Sequence, residues 1–285
     1  MLSANTSMAG DKPPRYATML SQRESGKVER MFSRIVARYD LMNTLMTGGR
    51  DRSWRRLAVQ MAEPRGAVAL DVGTGTAELA LELLRQGART VVGLDFSQGM
   101  LLAAREKAEC CLDKDRSITT ETWRTRSARR LERSTDAAGC TGVPVPGVRA
   151  PEFLAGDALN LPFGEGSFDA VLSGFVVRNL VDIKRGFQEM RRVLRPGGRV
   201  VCLEITHPKP GVFASLFQMY FYRLVPLLGS IVARDFDAYR YLPNSLTTFP
   251  AADGLARIME EAGLQDVSYH MLFPGAVAIH RGRRG

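Results

Sequence analysis

The chain has 285 residues, 45% of them hydrophobic and 24% charged, with a formal net charge of +9. That balance is ordinary for a soluble globular protein, and the length suffices to bury a full core without disulfide or metal staples. The positive charge permits a nucleic acid, an anionic membrane surface or an acidic substrate as partner and selects none of them. Residues 1–25 are rich in Ser, Pro, Gly and charge and read as a flexible arm, with residues 26–285 forming one domain. The arm lacks the apolar centre of a secretory signal, and no stretch reaches the roughly 18 uninterrupted apolar residues of a spanning helix. The cysteines Cys110, Cys111, Cys140 and Cys202 lack C-x-x-C spacing and read as free thiols in a reducing, cytoplasmic compartment.

From Lys27 the pattern is helical, with Met31, Ile35, Tyr39 and Met42 at helical spacing. "DRSWRRLAVQMA" predicts a second helix capped by Asp51. Then the period changes. "AVALDV", "TVVGLD" and "EFLAGD" are short apolar runs ending in Asp71, Asp95 and Asp157, as expected of strands buried on both faces. "FDAVLSGF" and "GRVVCLEI" continue the series, the latter after an "RPGG" turn. Helical segments lie between the runs: "AELALELLRQ", "SQGMLLAAREKAE" and "IKRGFQEMRRVL". The alternation predicts an α/β fold with a parallel sheet covered by helices on both faces. "QDVSYHMLF" and "GAVAIHRG" read as a closing hairpin, which makes seven strands. Residues 112–150 are too long for a connection there and read as an inserted, disordered basic loop, with a solvated charge run as its default reading.

"LDVGTGTAEL" places Gly73 and Gly75 between a strand and a helix, where glycine lets the backbone approach a nucleotide closely. Asp95 ends the next strand at about the 20-residue spacing of a ribose-binding acid. A dinucleotide loop would carry a third glycine, but Glu78 stands there, and a carboxylate repels a pyrophosphate. S-adenosylmethionine has no phosphate. Asp71 suits its ammonium, the helix N-terminal amides around Thr76 suit its carboxylate, and Asp157 suits the adenine amino group. The alternative for Asp95 and Asp157 is helix capping.

Several stretches carry a resemblance: "MFSRIVARYDLMNTLMTGG", "LDVGTGTAELA", "GDALNLPFGEGSFDAV", "GFVVRNLVD", "VLRPGGRVVCLEITHPKP" and "YRYLPNSLTTFP". On these the chain resembles the ubiquinone/menaquinone biosynthesis C-methyltransferases, from about Val28 onward apart from the insertion. The resemblance implies a class I S-adenosylmethionine-dependent methyltransferase fold with an antiparallel last strand. It implies methyl transfer to a ring carbon of a polyprenyl quinol, demethylmenaquinol or the equivalent ubiquinone precursor, without a metal. It carries cofactor contacts onto Thr76, Asp95, the pair Asp157 and Ala158, and Gly174, and acceptor contacts onto Arg178, Asn179 and Tyr39. The loop departs from the family's "AGGT", and Gly174 stands where serine is common.

Arginine is effectively always protonated, so Arg178 is a poor base. Its expected role is to stabilise a developing phenolate while Asn179 and Tyr39 orient the ring. The alternatives are a salt bridge for Arg178 and a core position for Tyr39. His207 is a second candidate base, though a lone histidine is more often structural. The apolar segment 212–233 is compatible with a prenyl-tail wall, a peripheral contact with the inner face of a membrane, a buried helix or a homodimer contact. Methylation of another aromatic small molecule, or a non-catalytic cofactor-binding scaffold in a quinone-synthesis assembly, are the competing readings. The fourth strand ends in "SGFV" rather than the "NPPY"-type tetrad of exocyclic amino methylation, which weighs against a nucleic-acid substrate.

Overall fold

The computed structural model describes residues 47–116, 150–208, 249–272 and 275–285, with Val36, Asp40, Leu41, Asn43, Thr44 and Met219 described singly. The N-terminal arm, Tyr39 with Met31, Ile35 and Met42, most of the insertion and nearly all of segment 212–233 lie outside these residues.

The elements in chain order are α1 (Asp51–Met61), β1 (Val68–Val72), α2 (Glu78–Arg85), β2 (Thr90–Asp95), α3 (Gln98–Arg116), β3 (Glu152–Ala155) and β4 (Phe168–Gly174). A 3-10 turn (Val177–Asn179) follows, then α4 (Ile183–Val193), β5 (Leu194–Ile205), α5 (Ala252–Glu261), β6 (Gln265–Leu272) and β7 (Val277–Arg283). The seven strands form one sheet in the order β3-β2-β1-β4-β5-β7-β6. The first five are mutually parallel, and β7 runs antiparallel to both β5 and β6. The expected hairpin is therefore present, with its second strand inserted between β5 and β6.

The apolar runs are continuous because successive residues feed opposite faces. Ala69, Leu172, Val201 and Leu203 pack with Val59 of α1, Leu81 and Leu84 of α2 and Ala104 of α3. Leu70, Val72, Val171 and Val200 pack with Phe187 and Met190 of α4 and Leu255 and Met259 of α5. Helices on both faces leave a strand no solvent side, hence no alternation with polar residues. The chain leaves β1 toward β2 on one side, and β4 returns on the other, so a crevice opens at the carboxyl ends of β1 and β4.

Several expectations need correction. The edge strand β3 is mostly exposed rather than buried on both faces. The helix α3 runs on to Arg116, so residues 112–116 belong to it and not to the inserted loop. Asp51 does not cap α1: the cap position is Arg50, and Asp51 lies in the first turn, ion-paired with Arg55. The Thr47 hydroxyl meets Asp51 at both its carboxylate and its backbone N–H, so the threonine one turn earlier does the local work. Cys111 is disulfide-bonded to a partner outside the described residues, while Cys110 and Cys202 are free.

Candidate functional site

The site begins where β1 runs out. Asp71 is almost wholly buried, and one of its oxygens, Oδ2, accepts from the Thr74 hydroxyl (2.8 Å) and from Ala80 N–H (3.1 Å). Ala80 lies in the first turn of α2, whose amides have no intrahelical partner, so a strand-end carboxylate ties down the helix start. The other oxygen, Oδ1, is buried with no hydrogen-bond partner. Burial pushes the Asp71 carboxyl up to about 7, against the pull of its bonds to Thr74 and Ala80.

The glycine loop is pinned to the neighbouring strand. Gly73 and Thr74 both donate N–H to Leu94 O, at 2.7 and 2.9 Å. Gly73 has φ +70°, and a Cβ there would fall inside the Val176 side chain. Only glycine meets both demands, so the loop after β1 and the loop after β4 pack directly on each other. Asp95 reaches back from β2: Oδ2 accepts from Gly75 N–H (2.9 Å) and Oδ1 from Ser97 N–H (2.9 Å). Burial raises its carboxyl above the ordinary range despite these bonds. An ionised carboxylate offers about four lone-pair sites, so Asp95 retains acceptor capacity for further donors. Gly156 N–H donates to Asp95 O at 3.1 Å, which brings Asp157 and Ala158 to the same edge. Asp157 is exposed there, and its Oδ1 accepts from Leu159 N–H (2.9 Å) in a local turn; a strand and not a helix follows, so the helix-capping alternative does not describe it.

Glu78 does not act as a bare negative charge. It is ion-paired with Lys107 of α3, and Lys107 also bonds Asp40 at 2.6 Å. Burial would raise the Glu78 carboxyl, but Lys107 and Arg55 outweigh it and hold the group below its usual range. The argument that Glu78 repels a pyrophosphate therefore loses its force. Thr76 donates its hydroxyl to Asp40 at 2.6 Å. The helical residue Asp40 is thus joined to the glycine loop and to α3 at once.

On the other side of the crevice β4 ends at Gly174, where a Cβ would lie 2.6 Å from Leu79 Cδ1. The close atom is the tip of a flexible leucine, so the serine that the resemblance leads one to expect would need only that side chain to shift. The chain then turns through Phe175, which has φ +61°, into the 3-10 turn that carries Arg178 and Asn179. Arg178 Nη1 donates to Phe175 O (2.7 Å) and to Glu204 Oε1 (2.5 Å). Its Nε is buried with no partner, as is Asn179 Oδ1. A cavity of about 450 Å³ opens beside Arg178, with Leu180, Val181, Phe249 and Ile258 among its walls. His207 donates from Nε2 to Phe249 O at 3.0 Å and so pins that wall.

The crevice thus gathers Asp71, Gly73, Gly75, Thr76 and Asp95 around one loop, with Asp157 and Ala158 on one flank and Gly174, Arg178 and Asn179 on the other. Tyr39 lies outside the described residues. Sequence reasoning missed Glu204, Asp40 and Lys107; only Asp40, inside "ARYDLMN" next to Tyr39, left a local signal. Among the described residues no group of three His, Cys, Asp or Glu side chains could hold a metal ion.

The sequence profile of the ubiE/COQ5 methyltransferase family matches residues 19–150 and 138–284. The demethylmenaquinone methyltransferase of Roseiflexus castenholzii is 41% identical over 261 residues, 90% of this chain and 94% of its own. That of Thermus thermophilus is 42% identical over 256 residues, 89% of this chain and 100% of its own. The ubiquinone/menaquinone biosynthesis C-methyltransferase UbiE of Geobacter sulfurreducens is 34% identical over 279 residues, 96% of this chain and 95% of its own. Among solved structures, a SAM-dependent methyltransferase from Thermotoga maritima aligns with a TM-score of 0.56 at 17% identity, covering 90% of this chain and 100% of that one. Another, from Aquifex aeolicus, aligns with a TM-score of 0.54 at 14% identity, covering 86% and 98%. These two likenesses establish the fold.

Proposed function

The chain belongs to the ubiE/COQ5 methyltransferase family and is an S-adenosylmethionine-dependent methyltransferase, and from that premise we propose that its acceptor is a ring carbon of a polyprenyl quinol, demethylmenaquinol in the first place. The relatives named for demethylmenaquinone are the more similar ones cited above, which favours the naphthoquinol over the ubiquinone precursor.

The site fits the methyl donor on one physical test. Asp71 Oδ1 is a buried carboxylate oxygen without a partner, and an unpaired buried acceptor is costly unless a ligand donor completes it. An ammonium does so. Asp71 would hold that ammonium, Gly73, Gly75 and Thr76 the backbone-contacting part, Asp95 the ribose hydroxyls, and Asp157 with Ala158 the adenine, beside Gly174. When bound, S-adenosylmethionine supplies an electrophilic methyl group on a cationic sulfonium.

The observation that carries the acceptor reading is the second pair of orphans. Arg178 Nε is a buried free donor and Asn179 Oδ1 a buried free acceptor, adjacent in sequence on the turn packed against the glycine loop. A phenolic oxygen that gains charge as its proton leaves accepts from Arg178 Nε. Asn179 Oδ1 accepts from a ring hydroxyl and fixes the ring's orientation, with Tyr39 assigned to the same task. Holding the reacting carbon in place and excluding water supply much of the rate. Arg178 stays protonated throughout, so it stabilises charge and removes no proton. A polyprenyl tail partitions into lipid, so this reading includes a peripheral contact with the inner membrane face, which the net charge of +9 favours. Among the described residues no helix is long and apolar enough to cross a membrane.

The test is incubation with S-adenosylmethionine and demethylmenaquinol, followed by mass analysis for one added methyl group. No gain on any prenylated quinol overturns the acceptor reading. Arg178→Ala is expected to lower kcat roughly 100-fold while leaving S-adenosylhomocysteine affinity intact; lost affinity would contradict its assignment to the acceptor.

A further inference from the structure

We propose that Glu204 is a positioning residue for methyl transfer: it holds the Arg178 guanidinium with Nε turned to the acceptor and cancels the charge that Arg178 would otherwise bring. The proposal rests on the assignment of Arg178 to the acceptor.

Glu204 stands where the strand pattern calls for an apolar residue. It lies two residues after Cys202 on β5, hence on the same face of the strand, and Cys202 is packed in the apolar cluster with α4 and α5. The Glu204 side chain is 1% exposed and its partner Arg178 4% exposed. An exposed ion pair at such a place would call for no explanation. A buried one is different, because desolvation offsets the attraction and a well-packed apolar pair of similar volume is often as stable. Stability alone therefore gives little reason for this pair to exist.

Its geometry gives a better one. Carboxylates and arginines left to themselves form two parallel bonds, fork to fork. Here Glu204 Oε1 accepts from Arg178 Nη1 at 2.5 Å and from Ile205 N–H at 3.0 Å, and Oε2 accepts from the Arg178 backbone N–H at 3.3 Å. One side chain thus grips both ends of the same residue, its backbone and its guanidinium tip. Phe175 O takes a second bond from Nη1 at 2.7 Å. These bonds fix the guanidinium end-on and leave Nε buried and unpaired. An edge of the guanidinium that the protein could have satisfied is kept free.

The charge matters as much as the orientation. A lone buried arginine would draw any anion into the site, whereas the Glu204–Arg178 pair presents an oriented donor with no net charge. Both charges of the pair reach the strand neighbour Cys202: burial first, and then the Glu204 charge, push its thiol well above its ordinary range, while Arg178 pulls the other way. Without Glu204, the full charge of the guanidinium would favour early loss of the acceptor's hydroxyl proton.

The experiment uses the full chain with S-adenosylmethionine and demethylmenaquinol. Glu204→Gln keeps the shape and removes the charge. We expect kcat to fall about 10- to 100-fold with the KM for S-adenosylmethionine unchanged, and the rising limb of the kcat–pH profile to move to lower pH, since the opposing carboxylate is gone. A merely structural role would not move that limb. Glu204→Asp keeps the charge and shortens the reach; it should lose kcat with the limb in place, and it serves where the glutamine variant folds poorly. In an Arg178→Ala background, Glu204→Gln should cause no further loss. Wild-type kcat in both Glu204 variants, or an undiminished loss in the Arg178→Ala background, overturns the proposal. Wild-type turnover by Arg178→Ala itself overturns the acceptor reading beneath it, so the two failures are told apart.

Discussion

Asp71 divides its carboxylate between two tasks, and the division makes it sensitive to pH. Oδ2 secures the start of α2, while Oδ1 is buried without a partner, and the proposed reading puts the cofactor's ammonium there. Its folded pKa of about 7 lies above the ordinary 3.8. The native state therefore keeps a proton that the unfolded chain has released, and the ligand-free protein loses that stability as pH rises from 3.8 toward about 7. Binding runs the other way, because an ammonium pairs with the ionised form. The affinity for S-adenosylhomocysteine should rise as pH is taken from 6 through about 7 and level off above it. Titration calorimetry at a series of pH values checks this, and Asp71→Asn should bind weakly with no such dependence. A wild-type affinity flat across that range would contradict the pairing of Asp71 with the cofactor's ammonium.

At the scale of elements, Lys107 joins three parts of the chain: α3 through its own stem, α2 through Glu78, and the helical residues before α1 through Asp40. Asp40 in turn receives the Thr76 hydroxyl. Lys107→Met should leave the Asp40 and Glu78 carboxylates without the cation that bridges them. The groups are partly exposed, so the cost to global stability is small, about 1 kcal/mol. The local effect is larger: amide exchange at Asp40 to Thr44 should quicken several-fold while β1 and β4 keep their protection. Equal exchange in both proteins would remove the latch. The same cluster marks where sequence reading stops. The inner strands β1, β2, β4 and β5 were legible because burial on both faces makes apolar runs, and Asp71 and Asp95 were legible because each ends one. Glu78 was misjudged because its partner is 29 residues away on the next helix. Glu204 left no trace because its partnership with Arg178 follows from β4 pairing with β5, with Gly174 opposite Leu203, and no spacing in the chain encodes that pairing. The helix α5 was passed over, although Ala252, Leu255, Met259 and Ala262 recur at helical spacing and are all buried.

The molecule as a whole is two apolar layers separated by one sheet, and the layers support different halves of the crevice. The α1–α2–α3 layer backs the glycine loop, while the α4–α5 layer, with Phe187 and Met190 fully buried, backs the turn that carries Arg178. Phe187→Ala should destabilise the fold by about 3–5 kcal/mol, seen as a lower denaturant midpoint with an unchanged m-value. A loss below about 1 kcal/mol would mean that the layer repacks freely. The placement of β7 between β5 and β6 also has a consequence for how the molecule comes into being. A ribosome delivers β1, β2 and β3 as one stretch, with α2 and α3 between them, so the donor half of the crevice has all its strand partners early except β4. The flank of β5, the strand that bears Glu204, has no partner until residues 277–283 emerge, and β6 waits beside it with no neighbour of its own. Unpaired strand edges invite pairing with other chains. The half of the crevice that carries Arg178 therefore gains its last strand neighbour late in biosynthesis, and until then the flank of β5 is open to pairing with other chains.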